Sequence, residues 1–183
     1  MREIEIKLKV KDIEGLEQKL EKAGCKFSKP IRQHDVIYLS KTSSDEFGKA
    51  REGHIAMRIR HEDNVSKITL KQQRSHEMDN IEYETEVKDP KEIHNILLTL
   101  GWNPGVEVKK IRKKAKMGDY EICLDRVERL GNYIELEKIT HENDDPDKVK
   151  KELFEAIKPF GLSERDEENL GYDTLIYKLE HKS

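Results

Sequence analysis

The sequence predicts an α+β fold, mainly antiparallel β, in which a sheet closes on itself around a charged interior and helices pack outside it. Three observations carry that expectation. Six or more stretches alternate charged and aliphatic residues at the strand period of two, so each presents one apolar and one charged row. Most of them are joined by turns of hairpin length, which favours antiparallel pairing. Amphipathic helical stretches carry apolar stripes that must be buried, and the strands' apolar rows are the available partners. With helices on that side, the charged rows gather on the other. An open sheet leaves such rows in water, the ordinary meaning of this alternation, whereas a closed one puts them inside.

Taken in order, Glu3-Ile4-Glu5-Ile6-Lys7-Leu8-Lys9-Val10 is the first and cleanest alternating strand. Asp12 can cap a helix with apolar positions Ile13, Leu16, Leu20 and Ala23, which Gly24 stops. Residues 26–39 read as one or two strands around Pro30, and Ser40 to Gly53 as a polar loop. His54 to Arg60 alternates again, with Arg58 and Arg60 on one face. The turn His61–Asn64 leads to Val65–Lys71, where Thr69 and Lys71 share a face. A second polar loop, Gln72–Asn80, precedes Ile81–Val87, whose Glu82, Glu84 and Glu86 share a face. Asp89-Pro90 starts a helix carrying Ile93, Ile96, Leu97 and Leu100, ended by Gly101. Val106–Met117 is a strand with Lys110, Arg112 and Lys114 in phase, Gly118-Asp119 a hairpin turn, and Tyr120–Val127 the return strand. A turn at Leu130–Asn132 leads to Tyr133–Ile139, where Glu135 and Glu137 are in phase. One helix follows Pro146, and a last one includes Leu170, Leu175, Ile176 and Leu179. No repeat or linker divides residues 1–183, so one domain is expected.

Composition narrows the function classes. The net charge of −3 argues against a general nucleic-acid binder, and two isolated cysteines against a disulfide framework or zinc site. The chain enters a strand at once, without an apolar leader, and no stretch approaches transmembrane length. The expectation is therefore a cytoplasmic protein with neither a membrane nor a nucleic-acid partner.

Within the charged rows the signs are segregated. Glu3 with Glu5, Glu82 with Glu84, and Glu135 with Glu137 are acidic pairs; Arg58 with Arg60 and Lys110 with Arg112 are basic pairs, and Lys71 adds a cation. A solvated face usually mixes signs, because like charges side by side are unfavourable. Carboxylates gathered inside a barrel need a neutralising cation, and their oxygens suit Mg²⁺ or Mn²⁺. Clustered Arg and Lys call for a polyanion, and guanidinium forks match phosphate oxygens. Together the two sets describe a pocket for a metal-bound polyphosphate.

The same residues resemble the CYTH superfamily, the triphosphate tunnel metalloenzymes, named for the class IV adenylate cyclase CyaB and thiamine triphosphatase. Glu3-Ile4-Glu5-Ile6-Lys7 matches the family's E-x-E-x-K motif, Ala56–Arg60 its A-L-R-I-R strand and Thr69-Leu70-Lys71 its T-L-K strand. Glu82-Tyr83-Glu84 resembles the central acidic strand, Lys110-Ile111-Arg112 the K-x-R element, Asp125 the end of an L-D strand, and Gly131 through Glu137 the G-x-x-x-E-x-E element. The order is kept over nearly the whole chain. An Asp-x-Tyr element is stretched by one residue, to Asp35-Val36-Ile37-Tyr38, and Glu168–Ile176 is similar to the C-terminal S-Y-x-x-L-L of the CyaB-like branch.

The resemblance implies an eight-stranded antiparallel tunnel. It implies Glu3, Glu5, Glu135 and Glu137 as ligands of one or two divalent ions, and Glu82 and Asp125 as further acidic site groups. It implies Lys7, Arg58, Arg60, Lys71, Lys110 and Arg112 as triphosphate-binding groups, with Glu3, Glu5, Lys7, Glu82 and Asp125 the catalytic set. Glu84 competes with Glu82, and Lys109 with Lys110, if the register slips. The expected activity is that of an adenylate cyclase, converting ATP to cyclic AMP and pyrophosphate. The alternative is a triphosphatase acting on tripolyphosphate, thiamine triphosphate or a nucleoside triphosphate, and a third reading is a non-catalytic polyphosphate-binding module. The sequence fixes no oligomeric state, a homodimer being compatible with it. The seven histidines read as surface residues, with His54 in phase with Arg58, Trp102 as packing, and Lys113–Lys116 as a solvated strand end.

Overall fold

A computed structural model describes residues 2–40 and 52–181. Its strands are Arg2–Lys9 (β1), Ile31–Ser40 (β2), Ile55–Glu62 (β3), Val65–Gln73 (β4), Asp79–Val87 (β5), Trp102–Met117 (β6), Tyr120–Val127 (β7) and Gly131–Thr140 (β8). The helices are Ile13–Lys22 (α1), Pro90–Thr99 (α2), Pro146–Ile157 (α3) and Tyr172–Glu180 (α4). All strand pairs are antiparallel, and the sheet closes in the order β1-β5-β4-β3-β2-β6-β7-β8. This is the eight-stranded barrel expected from the sequence.

Local chemistry sets the element ends. The carboxylates of Asp12, Asp89 and Asp145 accept from first-turn amides of α1, α2 and α3, and α2 and α3 each begin with proline, whose missing N–H is one that a helix start leaves unpaired anyway. The β3–β4 turn is two residues, with Asp63 at φ 49°, and Gly118 takes φ 61° in the β6–β7 hairpin. Three boundaries differ from expectation. β6 begins at Trp102 rather than Val106, because pairing with β2 continues past a register shift to Ser40 opposite Trp102. Pairing likewise shortens the Gln72–Asn80 loop to residues 74–78. The last helix starts at Tyr172, leaving Leu170 outside it. The loop expected over Ser40–Gly53 lies largely outside the described residues.

Three apolar clusters follow from the alternation. The outward row of β1 (Ile4, Ile6, Leu8) joins Ile122, Leu124, Ile134 and Leu136 of β7 and β8 under α1 and α3, which contribute Leu16, Leu20, Leu153 and Ile157. Most of these side chains are fully buried, each worth about 1.5–3 kcal/mol. A second cluster covers the outside of β2 and β3 with Leu97 of α2, and Trp102 packs there, as expected. The third lies at one end of the barrel, where Tyr172 and Ile176 of α4 meet Ile37, Val106, Val108, Val127 and Tyr133. Helix α4 thereby stoppers that end.

Closure has its own fastening. β1 pairs with β8 over eight residues but with β5 over three. Across that short seam the Arg2 guanidinium grips Asp79 with two hydrogen bonds of 2.9 and 3.0 Å, and also donates to the carbonyls of Glu142 and Asp144. Both charges are buried, so each needs the other.

Candidate functional site

The inward rows enclose a cavity of about 830 Å³. Glu3, Glu5, Lys7, Arg58, Arg60, Lys71, Glu82, Lys110, Arg112, Glu135 and Glu137 line it; Asp125, wholly buried, lies beneath Lys110 and Arg112. The pleat puts them there, since every second residue of each strand faces the axis. Register then matches them across strands: Glu5 stands opposite Glu137, Lys7 opposite Glu135, Arg112 opposite Asp125 and Lys71 opposite Glu82.

Toward the α4 end the charges are already paired. Asp125 accepts from Lys110 Nζ at 3.0 Å and from Arg112 Nε and Nη2 at 2.7 and 2.5 Å. Arg112 also bonds Glu135, and Lys7 Nζ lies 3.7 Å from Glu135. Asp35 takes two hydrogen bonds from Arg60, at 2.7 and 2.6 Å, with Arg58 3.7 Å away. Burial alone would raise these carboxyl pKa values. The neighbouring cations outweigh it: Arg60 and Arg58 hold Asp35, Arg112 and Lys110 hold Asp125, and Arg112, Lys110 and Lys7 hold Glu135 below the usual carboxylate range.

Nearer the other rim the acids are in excess. Burial, reinforced by Glu135 and Glu137, lifts Glu5 to about 8; burial and Glu82 lift Glu3 to about 7, and Glu137 is raised chiefly by burial. Oxygens of Glu5, Glu135 and Glu137 all lie within 4.8 Å of one another. Hard oxygen donors converging in surplus negative charge fit a divalent cation such as Mg²⁺ or Mn²⁺. Sγ of Cys123, with Glu121 and Glu137, forms a second such grouping on the same wall. Arg58 is held loosely, 3.2 Å from Thr69 Oγ1 and 3.6 Å from Glu84, and its buried Nε has no partner. Lys71 pairs with Glu82; burial opposes its charge, but Glu82 and Glu5 hold its pKa above the ordinary value.

Orientation separates Lys110 from Lys109 but brings both Glu82 and Glu84 to the cavity. Lys110 points inward and Lys109 is exposed on the outer face. Glu82 and Glu84 both face the cavity, Glu82 against Lys71 and Glu84 nearer the rim against Thr69 and Lys67. In the stretched Asp35–Tyr38 element, Asp35 and Ile37 face inward, while the Tyr38 hydroxyl bonds His94 of α2 at 2.7 Å. Some surface assignments change. His94 is tied to Tyr38, His76 is half-buried with Nδ1 accepting from the Met78 amide, and His54 lines the cavity. Lys114 and Lys116 also line it, Lys114 pairing with Glu121 at 2.7 Å, so the 113–116 stretch is not merely a solvated strand end. Among the lining residues not assigned to the site from sequence are Asp35, Tyr172 and Glu77. Asp35 had a signal in the Asp-x-Tyr element and Tyr172 in the segment similar to S-Y-x-x-L-L; Glu77 had none.

Comparison with known proteins shows the family and the fold. The family model of the CYTH domain matches residues 1–172. A candidate adenylate cyclase of Methanocaldococcus jannaschii is 35% identical over 165 residues, covering 89% of this chain and 91% of that protein. A solved structure from Pyrococcus horikoshii superposes with a TM-score of 0.78 at 28% identity, covering 95% of this chain and 98% of that one. One from Pyrococcus furiosus gives 0.79 at 25%, covering 95% and 99%. A Hippeastrum protein described as an adenylyl cyclase candidate with a dominant triphosphatase activity shares the fold, with a TM-score of 0.64 at 17% identity, covering 98% and 95%.

Proposed function

The chain belongs to the CYTH family, and from that premise we propose that it is a divalent-metal-dependent enzyme acting on a triphosphate, with an adenylate cyclase-like reaction first. The observation that carries the reading is the convergence of Glu5, Glu135 and Glu137 beside the cationic Arg58 and Lys71 in one cavity. Glu3, Glu5, Glu135 and Glu137 would hold Mg²⁺ or Mn²⁺. That ion, when bound, supplies charge neutralisation at phosphate oxygens. The chain's own residues do the rest. Arg58, with its unpartnered Nε, and Lys71 reach for phosphate oxygens near the carboxylates, while Lys7, Lys110 and Arg112 present cations toward the α4 end. Asp125 and Asp35 fix Arg112, Lys110 and Arg60 in place, so little reorganisation is needed when the anion arrives.

In cyclisation the ribose 3′-oxygen attacks the α-phosphorus of ATP and pyrophosphate leaves. The relative from Methanocaldococcus jannaschii, a candidate adenylate cyclase, supports this reading. In hydrolysis a water attacks a terminal phosphorus. The triphosphatase activity attributed to the Hippeastrum protein keeps this second, because the same fold hosts it there. A phosphorus NMR time course with Mn²⁺ or Mg²⁺, offering ATP and inorganic tripolyphosphate separately, decides between them. Pyrophosphate together with a cyclic phosphodiester from ATP is expected. Orthophosphate from tripolyphosphate with ATP left linear makes the protein a triphosphatase, and silence with both, and with thiamine triphosphate, overturns the enzymatic reading.

A further inference from the structure

Tyr172 opens α4 at the stoppered end of the cavity, and its surroundings are unusual for a residue that only fills space. Lys7 Nζ lies 4.3 Å and Lys110 Nζ 4.8 Å from the centre of its ring. Both lysines are nearly inaccessible, and a desolvated ammonium is attracted to an aromatic face more strongly than a solvated one. The ring is held from behind by Tyr133, packed edge-on at 5.2 Å. The start of α4 is latched by Glu77, which accepts from the Gly171 amide at 2.6 Å and from Thr174 Oγ1 at 2.9 Å. Lys7 Nζ donates to the Leu170 carbonyl at 3.0 Å. Yet the Tyr172 hydroxyl, buried at the wall of the cavity, makes no hydrogen bond of good geometry: the neighbouring Asp125 carboxylate is already taken by Lys110 and Arg112. A stopper needs no hydroxyl; phenylalanine would fill the same volume and spare the cost of a buried, unpaired O–H.

We propose, resting on the triphosphate reading above, that Tyr172 is a phosphate-binding residue: its ring gathers the Lys7 and Lys110 ammonium groups into one clamp, and its hydroxyl donates to the phosphate group they hold. Helix α4 is then part of the binding site as well as its floor. The free hydroxyl is a donor kept dry for an anion, and the two lysines arrive already gathered, which lowers the ordering cost of binding.

The test compares the full-length chain with Tyr172→Phe and Tyr172→Leu, titrating inorganic tripolyphosphate calorimetrically with Ca²⁺, an oxygen-seeking ion of looser geometry than Mg²⁺. Urea unfolding without ligand is measured alongside. Tyr172→Phe is expected to be at least as stable as the parent without ligand, yet to bind tripolyphosphate about tenfold more weakly, the loss of one charge-assisted hydrogen bond. Tyr172→Leu is expected to bind more weakly still, because the ring is lost too. A purely structural tyrosine gives the opposite pattern, and either half of that pattern overturns the proposal. Unchanged tripolyphosphate binding by Tyr172→Phe would mean the hydroxyl takes no part. Lower stability of that variant would mean the hydroxyl already has a partner, such as Asp125. A parent protein that takes up no tripolyphosphate would instead refute the triphosphate reading itself.

Discussion

Glu5 carries the sharpest consequence of placing carboxylates inside a barrel. Its pKa stands at about 8 against an ordinary 4.5, because burial and the neighbouring Glu135 and Glu137 outweigh Lys71. A carboxyl raised on folding binds its proton more tightly in the native state than in the unfolded chain. Stability is therefore greatest below the unfolded value and falls as pH rises through the window from 4.5 to about 8. At about 1.4 kcal/mol per pH unit the loss would reach about 5 kcal/mol, and water entering the tunnel lowers that toward about 2–4 kcal/mol. Glu135, Asp125 and Asp35, whose pKa values are depressed, act the other way: they withdraw stability as pH falls through the acid range, leaving the upper window to the raised carboxyls Glu5, Glu3 and Glu137, of which the Gln variant removes Glu5. The assay is urea unfolding of wild type and Glu5→Gln in EDTA, from pH 4.5 to 8.5. The two should coincide at the acid end, and the variant should become the more stable by about 2–4 kcal/mol at the alkaline end. Added Mg²⁺ should flatten the wild-type curve. Parallel curves in EDTA would refute the burial-and-repulsion account of this site.

Other consequences are equally direct. Glu5→Gln combined with Glu137→Gln should abolish metal-dependent turnover while the fold persists, read by product formation beside circular dichroism; retained turnover would remove both from the metal set. Arg58→Ala should weaken tripolyphosphate binding by about 1.5–3 kcal/mol while barely altering Mn²⁺ affinity, since the proposed function assigns Arg58 to phosphate rather than metal; calorimetry with each ligand separates the two. Asp125→Asn should destabilise by about 3 kcal/mol in urea, because it leaves Lys110 and Arg112 buried with a neutral partner.

The barrel was legible because a pleated strand with one apolar and one charged neighbour layer must alternate, and β1 does so throughout while β3, β7 and β8 do so over their central residues. β2 hid its site residue for the opposite reason. Val36 is packed outside with Ile59 and Leu97 and Ile37 inside with Tyr172, so both faces are apolar there and Asp35 sits in an unpatterned run. With one extra residue in Asp35–Tyr38, the Tyr38 hydroxyl reaches His94 of α2 instead of sharing the inward face of Asp35. A phenol does face the cavity, from Tyr172, 134 positions beyond Tyr38; the segment similar to S-Y-x-x-L-L marked that residue, but periodicity alone does not say that its helix will stopper the barrel. The Arg2–Asp79 staple was hidden likewise, its partners lying 77 residues apart.

The order of charges along the strands bears on which phosphorus reacts. Glu3, Glu5 and Lys7 descend β1 toward α4, and at about 3.3 Å per residue the row spans about 13 Å. Opposite them Glu137 precedes Glu135 on the same descent, so the carboxylates that gather in excess lie nearer the open rim, and Lys7 with Lys110 nearer the α4 floor. On the triphosphate reading, a chain entering from the rim sends its terminal phosphate to the lysines and leaves its inner phosphates beside Glu3, Glu5 and Glu137. Charge that develops as pyrophosphate departs would then fall between the metal-binding carboxylates and the lysine floor, where Arg58 and Lys71 also reach. Attack on a terminal phosphorus would instead place the reacting atom among groups already paired with Asp125 and Glu135. On the proposed reading this gradient, acids in excess at the rim and cation–carboxylate networks at the floor, supports chemistry at the inner phosphorus, and the phosphorus NMR time course decides between cyclisation and hydrolysis.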